Sequence, residues 1–368
     1  MNRTVRESIP KRLLRSSDGA ALAMHVLATA RRRGGAPRVW YGGARGGDVG
    51  GTLVKLRRLA ARFPEDRGGY NLAYLLSNTS YLPGMALARL RAAGVPMVLN
   101  QNGVFYAAWY GGDWRARNAR MALAYHAADH VFWQSGFCRR AADRFLGPRQ
   151  GAGEVLFNAV DTRGFAPPQA QRDPDGRPVF LMTGKFDGER GYRLRAAIEG
   201  LAIARRGGID ARLAIAGRAD EAIAASIARW SEDAGVANAV ERRGAYTQAE
   251  APAIYGAADA YLALSYMDPC PNAVIEALSC GLPVLHASSG GIPELVGAEA
   301  GIGLDVPEDW ENIHAPAPQA IAEGMARLAT GRAPMAAAAR ARATARFDIE
   351  DWLARHEAVF RALIGRDA

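Results

Sequence analysis

Cysteine and lysine are scarce in this chain, three of each among 368 residues. Cys138, Cys270 and Cys280 are too few for a disulfide framework, and their spacing matches no metal-binding pattern. An odd, sparse set fits a reducing compartment, where such residues serve as small buried hydrophobes. No apolar run reaches the roughly 18 residues of a membrane-spanning helix. The opening MNRTVRESIPKRLLRSSDG lacks the apolar stretch of a secretion signal, so a cytoplasmic location is expected. Sequence repeats are lacking too. The one compositionally biased tract, the Ala- and Arg-rich 335–346, reads as a helix.

What remains is ordinary in composition: 49% hydrophobic and 23% charged residues, enough chain for two domains with separate cores. The charge is unevenly placed. Residues 1–165 hold 25 Lys and Arg against 10 Asp and Glu, and residues 166–368 hold 21 against 27. A basic N-terminal half suits an anionic partner, either an acidic acceptor or the surface of an anionic membrane. A GC-rich genome alone produces the same arginine-heavy pattern, so both readings stand. No motif points to nucleic acid.

Apolar segments alternate with helical ones along the whole chain. Strands are predicted at 37–41, 71–77, 95–101, 130–135 and 153–161, and weakly at 9–17. Helices are predicted at 20–33, 51–63, 82–94, 116–129 and 136–147. Residues 166–177, APPQAQRDPDGR, lose that periodicity and read as a linker. The alternation then resumes, with strands at 178–184, 211–217, 239–244, 259–265 and 282–288 and a last helix at 349–365. Short apolar strands separated by helices imply parallel βαβ units. Ligands of such sheets sit beyond the strands' carboxyl ends. That rule places Ser77–Ser80, Asn100–Gly103 and Ser135 at a cleft rim.

The chemically richest stretch is DPCPNAVIEALSCGLPVLHASSGGIPELV, residues 268–296. A Pro-rich loop leads to Asn272, a good N-cap, and Gly281 is a good helix stop. The tip of this helix offers backbone N–H groups to anions and sugar oxygens. Asp268 before it and Glu276 inside it supply carboxylates that accept hydrogen bonds from paired hydroxyls. Upstream, GKFDGERG places Lys185 and Arg190 between a strand and a helix, a suitable clamp for a diphosphate.

Together these residues resemble the donor-site signature of retaining glycosyltransferases of the GT-B fold, family 4. The matching frame is Pro271, Asn272, Glu276, Ala277, Gly281, Pro283, Val284, Gly290, Gly291 and Glu294. Asp268 stands where that family has Glu, and Lys185 with Arg190 where it has Arg then Lys. The loop RRGAY resembles the family's base-contacting loop through Gly244 and Ala245. Residues 134–167 resemble its exit from the first domain, with Ser135, Asn158, Asp161 and Phe165 in structural roles. Gly19 corresponds to a Gly-rich loop near the donor phosphates. Asn102-Gly103 stands where a His-Gly lies near the reacting sugar. Tyr106, Trp109 and Tyr110 beyond it suit either sugar stacking or packing. His25, His126 and His130 read as structural.

The resemblance implies an α/β fold of two Rossmann-like domains facing a cleft. Residues 1–165 would take the acceptor and 166–176 would link to a nucleotide-sugar domain at 177–347. A helix at 348–368 would return to the first domain. It implies retaining transfer from a nucleoside-diphosphate sugar to a glycan or lipid-linked acceptor, as in surface-polysaccharide or glycolipid assembly. Lys185 and Arg190 would stabilise the leaving diphosphate. Asp268, Pro271 and Asn272 would hold the sugar, and Glu276 the ribose. No cofactor or metal is expected, since the Asp-x-Asp at Asp173 and Asp175 falls in the linker. The alternative is a binding or scaffolding protein that has lost turnover, suggested by Asn102 and Asp268. A phosphorylase using a lysine-bound cofactor is disfavoured by the shortage of lysine.

Overall fold

The computed structural model describes residues 9–44, 51–77, 82–168, 176–188 and 191–365, with side chains from residues 19 and 54 onward in the first two segments. Two compact units are formed. The first comprises residues 1–157, 309–313 and 350–368; the second comprises 158–308 and 314–349.

The first unit is a parallel five-stranded sheet in chain order: β1 (Val39–Trp40), β2 (Leu72–Leu76), β3 (Met97–Gln101), β4 (His130–Trp133) and β5 (Ala152–Val155). Between the strands run α2 (Gly51–Arg62), α3 (Gly84–Ala92), α4 (Trp114–Ala127) and α5 (Gly136–Leu146), preceded by α1 (Ile9–Thr29). Strands β2 to β4 are buried along their whole length, as parallel strands covered on both faces must be. The final helix, α12 (Ile349–Ile364), lays Trp352, His356 and Phe360 into this core. Phe360 meets Phe63 and Tyr74 edge to face, with ring centroids 5.2 and 5.9 Å apart. Such pairs add about 0.5–1.5 kcal/mol beyond area burial. Arg355 grips Glu154 of β5 through Nε and Nη2.

The second unit is a six-stranded parallel sheet in the order β11-β10-β9-β6-β7-β8. Its strands are β6 (Val179–Phe186), β7 (Arg212–Ala219), β8 (Val240–Arg243), β9 (Ala260–Ala263), β10 (Val284–Ala287) and β11 (Gly301–Leu304). The connecting helices are α6 (Gly191–Arg206), α7 (Glu221–Asp233), α8 (Ala251–Gly256), α9 (Asn272–Ser279) and α10 (Ile292–Val296), with α11 (Pro318–Arg346) closing the unit. The chain moves outward from β6 through β7 to β8, then returns to β6's other side with β9. The order therefore reverses between β6 and β9, where an open α/β sheet receives its ligand.

Several expectations need correction. Residues 9–17 are helical, not extended: they open α1, because Leu, Arg and Lys propagate a helix and no β-branched run opposes it. The strand expected at 153–161 ends at Val155. Residues 158–165 group with the second unit: Val160 bridges Asp348, and Asn158 donates to Cys270 O at 3.0 Å. The helix expected at 335–346 is the last part of α11, which bends at Gly331 three residues before Pro334. Proline there removes a donor and crowds the preceding turn. No helix among the described residues is long and apolar enough to cross a membrane. The three cysteines are buried and unbridged.

Candidate functional site

At the carboxyl ends of β6, β7 and β8, three glycines let the backbone segments approach closely. Gly184 at the end of β6 pairs in register with Gly217 of β7. Both have positive φ, +143° and +135°, and a Cβ on Gly217 would lie 1.9 Å from Gly184 O. Only glycine fits so close an approach. Gly217 N–H in turn donates to Gly244 O beyond β8 at 3.1 Å. A cavity of about 180 Å³ lies at this edge, its lining including Phe186, Gly217, Arg218, Arg243, Gly244 and Ala245. Gly244 and Ala245, singled out from sequence, are thus both on its wall.

Arg193, in the first turn of α6, spans the reversal. Its guanidinium donates to Ser265 Oγ just past β9 at 2.9 Å and to Lys185 O at 3.1 Å. It also lies over the Phe186 ring, 5.0 Å from the centroid. Sequence reasoning missed it: a cation in a helix's first turn reads as surface until its two partners are known. Lys185 itself is 67% exposed, with Nζ 3.9 Å from Asp187 Oδ2. Arg190 lies outside the described residues, as do Asp173, Asp175 and residues 78–81.

Glu276 sits in α9 with 6% of its surface exposed. Its Oε2 accepts from Tyr255 Oη at 2.8 Å. Tyr255 Oη and Tyr261 Oη both meet Thr183 Oγ1, at 3.1 and 3.0 Å. Burial and the nearby carboxylate push the Tyr255 hydroxyl well above its ordinary pKa, so it stays protonated and donates. Tyr246, next to Ala245, is raised by burial and by Glu276 as well. A carboxylate has about four acceptor positions, and Tyr255 takes one of them.

Asn272 is not the N-cap expected. The cap is Pro271, which makes no side-chain cap bond, and Asn272 begins the helix. Asn272 Oδ1 instead accepts from Asn158 Nδ2 at 2.8 Å. A cap residue must turn its own oxygen onto the helix; here Asn158 claims that oxygen and ties the loop down. The Val274 N–H is taken by Pro271 O at 3.1 Å, so the anion-binding character of this tip rests on the N–H groups before it.

Asp268 turns its Oδ1 onto the Cys270 N–H at 3.1 Å, an Asx turn at the foot of α9. The preceding Met267 has φ +49°, the one non-glycine with positive φ among the described residues. Its strain is held in place by Ser289 Oγ on Met267 N–H at 3.0 Å and by Gly291 N–H on Asp268 O at 2.9 Å. Gly290 permits the packing, since a Cβ there would meet Asp268 O at 2.5 Å.

In the first unit, Gly19 lies inside α1 near Pro83 and not in a loop. Alanine, leucine and methionine on its C-terminal side carry the helix through it, at about 1 kcal/mol for a mid-helix glycine. The positive-φ glycines of this unit's first strand end are Gly42 and Gly43. Asn102 follows β3, its backbone N–H on Ser77 Oγ at 3.0 Å. Ser135 caps α5 by accepting from Cys138 N–H. Tyr106 is buried edge to face against Trp310, while Trp109 is 43% exposed. Among the described residues, no three His, Cys, Asp or Glu side chains are grouped to hold a metal ion.

Residues 177–330 match the family model described as glycosyl transferases group 1. The D-inositol 3-phosphate glycosyltransferase of Paenarthrobacter aurescens (strain TC1) is 26% identical over 166 residues. That match spans 43% of this chain and 41% of that protein. Sucrose-phosphate synthase of Thermosynechococcus elongatus superposes with a TM-score of 0.65 at 21% identity, over 84% of this chain and 76% of that one. HepE of Anabaena, solved with UDP, gives 0.64 at 18% identity, over 85% and 82%. At such identities the structures establish the fold, which is GT-B. Residues 177–330 of the chain are thus similar to the glycosyl transferases group 1 family.

Proposed function

We propose that the chain is a retaining glycosyltransferase that takes a sugar from a nucleoside-diphosphate donor bound by its second unit. One observation carries the reading: the cavity at β7 and β8, the buried Glu276 and the tip of α9 belong to one unit and gather at the carboxyl ends of its strands. A nucleobase would enter the cavity beside Gly244 and Ala245. The ribose hydroxyls would donate to Glu276. The diphosphate would meet the α9 tip, Lys185, Arg190 and Arg193. Asp268, Pro271 and Asn272 would border the sugar. Helix-tip dipoles and cations stabilise charge on a leaving diphosphate as the glycosidic bond breaks. No cofactor is required for that chemistry. The acceptor would be a glycan or lipid-linked glycan, possessing anionic groups that suit the basic first unit. That unit would rest against the inner face of a membrane where such lipids reside.

Incubation with a panel of UDP- and GDP-sugars, with and without candidate acceptors, tests the reading. Release of UDP or GDP from one donor, with the anomeric configuration retained in product, is expected. Nucleotide binding with no release from any donor would favour a binding protein on the same fold and overturn the catalytic reading.

A further inference from the structure

Glu276 ends a buried run of three hydroxyls in the second unit. Its Oε2 accepts from Tyr255 Oη of α8 at 2.8 Å. Tyr255 Oη lies 3.1 Å from Thr183 Oγ1 of β6, which lies 3.0 Å from Tyr261 Oη of β9. These four residues come from four elements, and none is more than 6% exposed. Tyr246, next to Ala245, hydrogen-bonds Thr183 and Tyr255 as well, so the loop of Gly244 and Ala245 is tied to the same hydroxyls.

Counting protons gives the run one direction. Burial raises the Tyr255 and Tyr261 hydroxyls far above their ordinary pKa, so both keep their protons. The single Tyr255 proton goes to Glu276 Oε2. The contact between Thr183 and Tyr255 then takes its proton from Thr183, which has only one. With that proton committed, Thr183 accepts from Tyr261. The bonds therefore run head to tail from Tyr261 through Thr183 and Tyr255 to the carboxyl group, and in a buried setting such bonds polarise one another. Thr183 is a firm hub. Its side chain is β-branched and stiff at χ1, and β6 is flanked by both β7 and β9.

We infer that Thr183 and Tyr255 are positioning residues that hold the Glu276 carboxyl group in one orientation and so set the site's preference for a nucleotide with ribose hydroxyls. This rests on the proposed reading in which Glu276 meets the ribose. A glutamate without such support rotates about three torsions, and freezing them on binding costs affinity.

Calorimetric titration with UDP or GDP and with the matching 2′,3′-dideoxynucleotide tests the inference. The ratio of the two affinities reports the ribose hydroxyls alone, as a double-mutant cycle would. Thr183→Val keeps the shape and removes the hydroxyl. It should weaken UDP or GDP about tenfold while the dideoxynucleotide stays within about twofold. Tyr255→Phe, which keeps the ring and deletes the bond to Glu276, should do the same. Thr183→Ser retains a hydroxyl and should restore most of the ratio. Equal weakening of both nucleotides in Thr183→Val would show a merely structural role and overturn the inference. So would a wild-type ratio in Thr183→Val or, should that variant fail to fold, in Tyr255→Phe. A wild-type protein that binds both nucleotides equally would instead overturn the ribose reading of Glu276, and the inference with it.

Discussion

Replacing Glu276 with alanine is expected to lower kcat/KM for the working donor about 100-fold or more. Two ribose hydroxyls donating to one buried carboxylate are charge-assisted bonds, each worth about 1.5–3 kcal/mol. Losing both removes about 3 kcal/mol or more, and each 1.4 kcal/mol is tenfold. The loss should appear in nucleotide affinity as well as turnover, because ribose contacts are made in ground and transition states alike. Glu276→Gln separates charge from shape. Its amide oxygen still accepts from Tyr255, so the fold should persist, while affinity for UDP or GDP falls by about tenfold. Calorimetric titration of both variants measures this. Wild-type affinity in Glu276→Ala would remove the carboxylate from the ligand.

Gly217→Ala is expected to act on the fold itself. The new Cβ would lie 1.9 Å from Gly184 O, 2.9 Å from Gly184 C and 3.1 Å from Gly184 N, all backbone atoms of a neighbouring strand. The φ of +135° is closed to alanine in any case. Left-handed strain and overpacking together cost about 3–5 kcal/mol, against a total stability of roughly 5–15 kcal/mol. For a unit of this size that is a Tm loss of about 10 °C. Gly244→Ala, with nothing within 4 Å of its Cβ position, should change Tm by no more than about 2 °C. Equal Tm values for the two variants would show that the strand ends are looser than the geometry requires.

Fold class was legible because alternating apolar strands and amphipathic helices obey local rules. The misses share a different cause. Strand β11 reads Gly-Ile-Gly-Leu, and glycine hides a strand from pattern reading. Those glycines answer to neighbours: a Cβ at Gly301 would meet Val284 O at 2.0 Å, and one at Gly303 would meet Ser288 Oγ at 2.4 Å. Segment 309–313 joins the first unit through Trp310, whose carbonyl accepts from Ala108 N–H at 2.9 Å. A single tryptophan in a loop carries no periodic signal. At the site, Glu276, Gly244 and Ala245 were readable because they lie within a contiguous motif. Arg193 and Asn158 were not, because each acts on a partner far along the chain: Ser265 and Asn272. A linear motif records which residues are close in sequence, whereas these two depend on which strand ends are adjacent in the sheet.

The central claim is that the carboxyl ends of the second unit's strands hold the nucleotide. A crystal structure with UDP or GDP bound tests it most directly. Ribose hydroxyls should lie within about 3.2 Å of Glu276, with the base against Gly244 and Ala245. Nucleotide ordered anywhere else on the chain, with that edge vacant, would contradict the account.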